Sequence, residues 1–320
     1  MAQGLEPTGA SGFVPFFLVG SERSGTTMLR LMLNHHSALS WPYEFDFSVD
    51  AIPENDRWPD VDAYVDWLSI HRIFLATGLR ADRSLSFPDL LHSFLQQTAE
   101  REGVKVIGAT CHRHFDKLLR VWPSARFIHI LRDPRDVALS CIQMGWAGNV
   151  WFAVDRWIKA EESWDRLARK IAHERFIEIR YEQLVAEPEA TLRSICDFVG
   201  VVYESCMLEY SATSTYSEPD PSLLYQWKHR ASPEELGILE YKLGPLLEAR
   251  NYAPSGIAAQ PPASLAWLRL HDKLYRTRYR LNVFGIGRMV LDLLHRHIGL
   301  GNVGRKNRLA MNRIETSRLK

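Results

Sequence analysis

What the sequence lacks narrows the reading first. Its 320 residues contain no uninterrupted apolar run of eighteen, so no membrane-crossing helix is expected. The N-terminus carries neither a basic segment nor a long apolar one, which points away from a signal peptide and towards the cytoplasm. Only four cysteines occur, Cys111, Cys141, Cys196 and Cys206, with no C-x-x-C pair and no histidine spacing suited to zinc. They read as buried thiols in a reducing compartment, and no metal is expected. No repeat of fixed period is evident, and 46% apolar composition over this length supports a sizeable core.

Charge is scarce only in the sum. The net value is +1, yet the stretch from Ala263 to Lys320 carries thirteen Lys/Arg against three Asp/Glu. The preceding 262 residues therefore hold 26 basic and 35 acidic residues, a balance of −9 against +10. A basic tail on an acidic body favours acidic partners such as lipid headgroups or an acidic protein. Two readings of this tail stand side by side: a membrane-surface or acidic-partner contact through 265–300, which would make a cytoplasmic protein peripheral at a membrane, or helices packed on the body with a frayed, solvated end from about Gly301; no nucleic acid is expected.

Short apolar runs alternate with helical patterns. Strands are expected at Gly12–Val19, Ser40–Tyr43, Val104–Ile107, Arg126–Leu131 and Phe176–Ile179. Helices are expected from Thr26 to His35, over Asp56–Gln97 in two or three pieces, after Asp133-Pro134, over Trp151–Arg169, and over Ala190–Phe198. Ser232-Pro-Glu-Glu235 has the form of a capping box. This order predicts an α/β fold, a P-loop-type doubly wound parallel sheet with helices on both faces, plus a basic helical C-terminal extension. The division expected is a domain over 1–252, with 56–97 as a helical cover at the acceptor side, a Pro/Ala/Gly-rich linker over 253–264, and a basic amphipathic extension over 265–320.

Gly20–Thr27 reads GSERSGTT behind the first strand. A glycine-containing turn at a helix N-terminus aims several backbone amides at one spot and suits phosphate or sulfate. The Walker form needs Lys after its second glycine, and here Thr26 follows Gly25, which counts against a P-loop kinase or ATPase. The cation sits inside the loop at Arg23. A plain turn that caps a helix is the alternative.

Arg23, Ser24, Gly25, Thr26 and Thr27 resemble the phosphosulfate loop of the PAPS-dependent sulfotransferases. A second motif, Arg126–Ser140, reads RFIHILRDPRDVALS and resembles that family's second signature, in which an Arg and a Ser bind the 3′-phosphate. Arg132 and Ser140 match those positions, eight apart; otherwise Arg132 pairs with Asp136. The block after Phe176 resembles the third, where Tyr181 would contact adenine or be a core tyrosine. Trp227-Lys-His-Arg230 and Asn251-Tyr252 resemble the C-terminal region.

The resemblance implies sulfuryl transfer from 3′-phosphoadenosine-5′-phosphosulfate (PAPS) to a hydroxyl acceptor, with the 3′,5′-bisphosphate (PAP) as product and no metal. Loop and base spacing resemble the tyrosylprotein and bacterial-type sulfotransferases most, which implies Glu44, twenty-one residues beyond Arg23, as general base, or else a surface carboxylate. Arg23 and Glu44 are thus the expected catalytic pair. One departure stands out: where related enzymes often carry Lys after the next strand, Gly108–His114, read as GATCHRH, offers Thr110. His112, Arg113 and His114 are the candidates to compensate. Loss of that lysine also fits a catalytically degenerate nucleotide-binding or docking protein on the same fold. Trp157 and Trp164, seven apart, have core spacing, whereas Trp146 and Trp151 are open as pocket residues.

Overall fold

The computed structural model describes residues 14–55, 57–104 and 106–318. Gly12 and Phe13 of the first expected strand and Asp56 of the helical cover lie outside that range. In chain order the elements are β1 (Phe16–Val19), α1 (Thr26–Asn34), β2 (Leu39–Ser40), α2 (Phe47–Asp50), α3 (Val61–Leu68), α4 (Arg72–Thr77), α5 (Phe87–Glu102), β3 (Val106–Cys111), α6 (Leu118–Val121) and β4 (Arg126–Leu131). They continue with α7 (Pro134–Gln143), α8 (Val150–Ala153), α9 (Asp155–Ala168), β5 (Phe176–Arg180), α10 (Tyr181–Ala186), α11 (Pro188–Val199), α12 (Trp227–Arg230), α13 (Pro233–Leu243) and α14 (Leu246–Ala249). Two long C-terminal helices follow, α15 (Leu265–Ile298), interrupted at Gly285, and α16 (Gly301–Arg318).

The chain divides into two compact units. One takes it to Leu131 and again from Lys159 to Pro221, and holds the sheet; the other comprises Arg132–Ile158 and everything from Ser222. In the first unit five parallel strands lie in the order β2-β3-β1-β4-β5. With β3 on one side of β1 and β4 on the other, the loop leaving β1 sits where the strand order reverses, the usual place for a ligand crevice.

Parallel strands are buried on both faces, and β1 shows why Phe-Phe-Leu-Val suits it. Phe17 and Val19 join Ile107, Ala109, Cys111 and Phe127 in the main core, covered by Leu90 and Phe94 of α5, Leu118 of α6, and Trp164 and Leu167 of α9. Phe16 faces the opposite way, with its ring 6.3 Å from Trp41 and 6.0 Å from Phe198 of α11. The helical cover forms three helices, α3 to α5, capped by Asp60, His71 and Ser86.

The second strand is shorter than expected because Pro42 cannot donate to a ladder. Pairing resumes past it: Thr110 N donates to Tyr43 O at 3.3 Å and Phe45 N to Thr110 O at 2.7 Å, which seats Glu44 beside Thr110. The third strand runs on through Gly108 and Thr110 to Cys111, since Gly108 is not a break but a contact. A Cβ there would collide with the Trp41 ring. The helix expected over Trp151–Arg169 is two, α8 and α9, while the capping box at Ser232 and Glu235 forms in full.

In the second unit, Asp133 caps α7 by accepting from Arg135 N at 2.9 Å. Trp157 is fully buried there, and its indole N–H donates to Arg132 O at 2.9 Å; Trp164 is buried in the first unit. The contact between Gly108 and Trp41 leaves no room for a methyl group. Gly108→Ala is therefore expected to lower unfolding free energy by about 1–3 kcal/mol in urea titrations, the usual cost of overpacking, and an unchanged midpoint would refute the close approach.

Candidate active site

The loop after β1 is shaped by two left-handed residues, Arg23 at φ 70° and Gly25 at φ 91°. Only glycine takes that conformation freely, so Arg23 stores strain of about 1–2 kcal/mol, a feature that clusters at ligand sites. Gly20 and Gly25 are also held by close approach. A Cβ on Gly20 would strike the Ile130 carbonyl of β4, and one on Gly25 the Tyr181 ring. The first α-helical bond of α1 runs from Leu29 N to Gly25 O at 3.1 Å, and no side chain caps this helix. The amides of residues 26 to 28 consequently have no acceptor within the helix, an arrangement suited to an anion. Ser24, 1% exposed, has a hydroxyl without a hydrogen-bond partner among the described residues. A buried hydroxyl in that condition fits a cradle built for an anionic oxygen.

Behind the loop stands a buried ion pair. His112, just past β3, donates from Nδ1 to Asp46 Oδ2 at 2.7 Å, and its backbone N–H donates to Asp46 Oδ1 at 2.8 Å. Its Nε2 lies 3.2 Å from Thr26 Oγ1 in the first turn of α1. Burial opposes charge on both partners, but their mutual attraction and hydrogen bonds prevail. His112 is raised to about 9, and Asp46, helped also by Arg113, is held down to about 2. At neutral pH the imidazole is thus a cation whose Nε2–H donates to Thr26. Arg113 straps the periphery: it is bidentate on Asp50 at 2.6 Å and lies 3.6 Å from Glu22 of the loop.

Glu44 belongs to the same cluster, since a carboxylate oxygen of Glu44, one of Asp46 and a ring nitrogen of His112 all lie within 4.8 Å of one another. Such a trio has the chemistry of a metal site, yet a cation could enter only by displacing the proton that binds His112 to Asp46. The side chain that sequence reasoning passed over is Asp46. Its signal was the alternation Glu44-Phe-Asp46, which sends both carboxylates to one side of an extended segment. Thr110 lies buried on β3 with its hydroxyl unpartnered among the described residues, while His112, two residues on, brings the charge to the loop.

The structure gathers Arg23, Ser24, Gly25, Thr26 and Thr27 in one turn, sets Tyr181 against Gly25, and brings Glu44 to the same unit. Arg132 and Ser140 belong to the second unit, at the start and on the body of α7. Arg132 lies 3.8 Å from Asp136, the pairing weighed from sequence, and 3.5 Å from Leu223 O. Its neighbour Arg135 is structural: it holds both oxygens of Asp133 at 2.8 and 3.0 Å, reaches Glu240 at 2.9 Å, and stacks 3.7 Å from the Trp227 ring centre. Trp227 in turn donates to Asp133 at 3.0 Å and to Asp136 at 2.9 Å. Trp146 and Trp151 are half-buried under Arg156 and Lys242 respectively.

The pair His112–Asp46 gives stability a particular pH dependence. Because the folded value of His112 lies above its ordinary 6.5, its contribution is complete below about pH 6.5 and is lost as pH rises through about 9. The depressed Asp46 contributes above about pH 4 and loses that contribution as pH falls through about 2. Unfolding free energy should fall by about 2–3 kcal/mol between pH 6.5 and 9.5. Denaturant titrations of Asp46→Asn should lack most of that slope; an equal slope in the variant would refute the pairing.

Comparison with known proteins agrees with this architecture. Residues 15–205 match the sulfotransferase family. An uncharacterized protein of Aquifex aeolicus is 28% identical over 223 residues, covering 62% of this chain and 27% of that protein. The omega-hydroxy-beta-dihydromenaquinone-9 sulfotransferase Stf3 of Mycobacterium tuberculosis is 28% identical over 250 residues, covering 61% of this chain and 64% of the relative. The chain thus spans about a quarter and just under two thirds of these relatives. The sulfotransferase domain of the Synechococcus PCC 7002 olefin synthase superposes with a TM-score of 0.55 at 19% identity, over 72% of this chain and 93% of that one, and so shares the fold. With more than half its length matched and a parallel sheet of this order, the chain belongs to the sulfotransferase family.

Proposed function

We propose that this protein transfers a sulfuryl group from PAPS to a hydroxyl acceptor, with Glu44 as general base and no metal. The observation that carries this reading is the uncapped α1 N-terminus backed by a charged His112, with the Glu44 carboxylate within 4.8 Å of that imidazole. The donor supplies an activated sulfuryl group whose departure leaves negative charge on the 5′-phosphate. Arg23, the amides at 26 to 28, and the hydroxyls of Ser24, Thr26 and Thr27 would hold that phosphosulfate. His112, as an imidazolium, takes the place of the missing lysine by stabilising charge at the loop through Thr26. Glu44 accepts the proton of the acceptor hydroxyl. Arg132 and Ser140 are assigned the 3′-phosphate, and Tyr181 the adenine side, on the family motifs they match.

Of the acceptor classes, a lipid alcohol has the most support, because Stf3 is named for a hydroxylated menaquinone. Catalytic degeneracy is the competing reading, favoured by Thr110 where relatives often have lysine; the charge on His112 speaks against it.

Two measurements test the proposal. Calorimetric titration with PAP should give saturable binding that Arg132→Ala weakens by about 1.5–3 kcal/mol, the worth of a hydrogen bond to a charged group. No binding, or equal binding by the variant, overturns the donor site. Glu44→Gln should keep PAP affinity and lose turnover by a factor of about 10²–10⁴ in a radiolabelled-sulfate transfer screen over lipid, glycan, small-alcohol and tyrosine acceptors. Full activity in that variant rejects the base, and binding without transfer to any acceptor favours degeneracy.

A further inference from the structure

We infer that the outward face of the C-terminal helices docks on an anionic phospholipid surface. One side of α15 before Gly285 is committed to its own unit. Asp272 Oδ1 accepts from Gly148 N at 2.7 Å, the Tyr275 hydroxyl donates to Ile142 O at 3.0 Å, and Tyr279 covers Gly145 so closely that a Cβ there would collide. On the opposite side, at helical spacings of three, four and seven, stand Trp267, Leu270, Leu274 and Leu281, all exposed, Trp267 by 61%.

Past the interruption the same division recurs. Asp292 and His295 face α16, where Asn307 donates to Arg288 O at 3.0 Å and Gly304 sits against the His295 ring. Away from that contact, Ile286, Val290, Leu293 and Leu294 are exposed, Ile286 by 73%. Gly285 itself, at φ 75° and ψ 158°, sets the break between the two stripes.

Charge selects the occupant. Twelve Lys/Arg and three acids lie between Leu265 and Arg318, and two of those acids are turned inward. Asp272 is 4% exposed and paired with Arg276 at 2.8 Å; Asp292 is 6% exposed and lies among Arg296, Arg280 and Arg308. The apolar stripes are therefore bordered by exposed Arg269, Lys273 and Arg278 with almost no exposed carboxylate to offset them. A second copy would bring like charge to like charge, which disfavours self-association through this face. No helix of the described residues is long and apolar enough to cross a membrane, so these helices would lie on the surface, with Trp and Leu at the acyl boundary and the basic side chains among headgroups.

The experiment is co-sedimentation of the full chain with vesicles of phosphatidylcholine alone and of phosphatidylcholine mixed with phosphatidylglycerol. We expect partitioning into the anionic vesicles at least about tenfold above the neutral ones, reduced by raised salt. Leu270→Glu with Leu274→Glu should lower it about tenfold or more. Arg269→Gln with Lys273→Gln should lower it about thirtyfold. All four positions are exposed, so circular dichroism and PAP affinity should not change, which separates this outcome from failure of the donor site. Equal partitioning into both vesicle types, or none into either, overturns the proposal. So does a concentration-dependent dimer that the leucine variants dissolve, which would make a second copy the partner.

Discussion

The first unit depends on how tightly its first loop is crowded. To pass from β1 into α1 while leaving helix amides uncovered, the chain must turn through two left-handed residues, and both glycines of the turn touch neighbours. Gly20 lies on the β4 carbonyl of Ile130, and Gly25 lies under Tyr181 at the end of β5. Two places distant in sequence, β4 and the first residue of α10 just after β5, thus clamp one turn. The geometry of the loop is a property of the sheet, not of the eight residues alone. This also explains why Arg23 can remain strained: a loop held at both ends cannot relax one residue without moving β4 or Tyr181.

Electrostatics then follows from burial. A carboxylate as enclosed as Asp46 would be costly alone, and so would a charged His112; each makes the other tolerable. The hydrogen bond from His112 to Thr26 extends this pair to α1, so positive charge is placed where a lysine is absent from the sequence. Arg113 adds charge nearby but is committed to Asp50, Asp46 and Glu22. The two cations therefore have different duties, one directed at the loop and one at the acids around it.

Most of the sheet was legible from short apolar runs, because parallel strands buried on both faces leave that signature. Arg126–Leu131 coincides with β4, and Phe176–Ile179 falls one residue short of β5. The misplaced starts are at β1, which begins at Phe16 and not before Pro15, and at β3, which begins at Val106. The misplaced far ends lie at Pro42, where a ladder skips a residue, and at Gly108, where a glycine serves packing against Trp41. The skip at Pro42 has a local signature in the proline itself; the packing of Gly108 on Trp41 has none. The loop was legible because glycine and hydroxyl spacing encode a turn directly. Asp46 was not, since its role arises from pairing with a histidine sixty-six residues away, set by the register of β2 and β3.

Arginine function in the second unit shows the same dependence on partners. Arg132 and Arg135 sit three residues apart in one motif, and only the family resemblance, not charge or spacing, ranks Arg132 first. Arg135, 2% exposed, is enclosed by Asp133, Glu240 and the face of Trp227, so its charge is spent within the unit. Arg132 lies 3.8 Å from Asp136, whose carboxyl is pushed up by burial. A further anion at Arg132 would raise the cost of charge on Asp136 again. Binding there should couple to proton uptake by Asp136, read as a calorimetric heat that depends on the ionisation enthalpy of the buffer; a heat independent of buffer would refute the coupling.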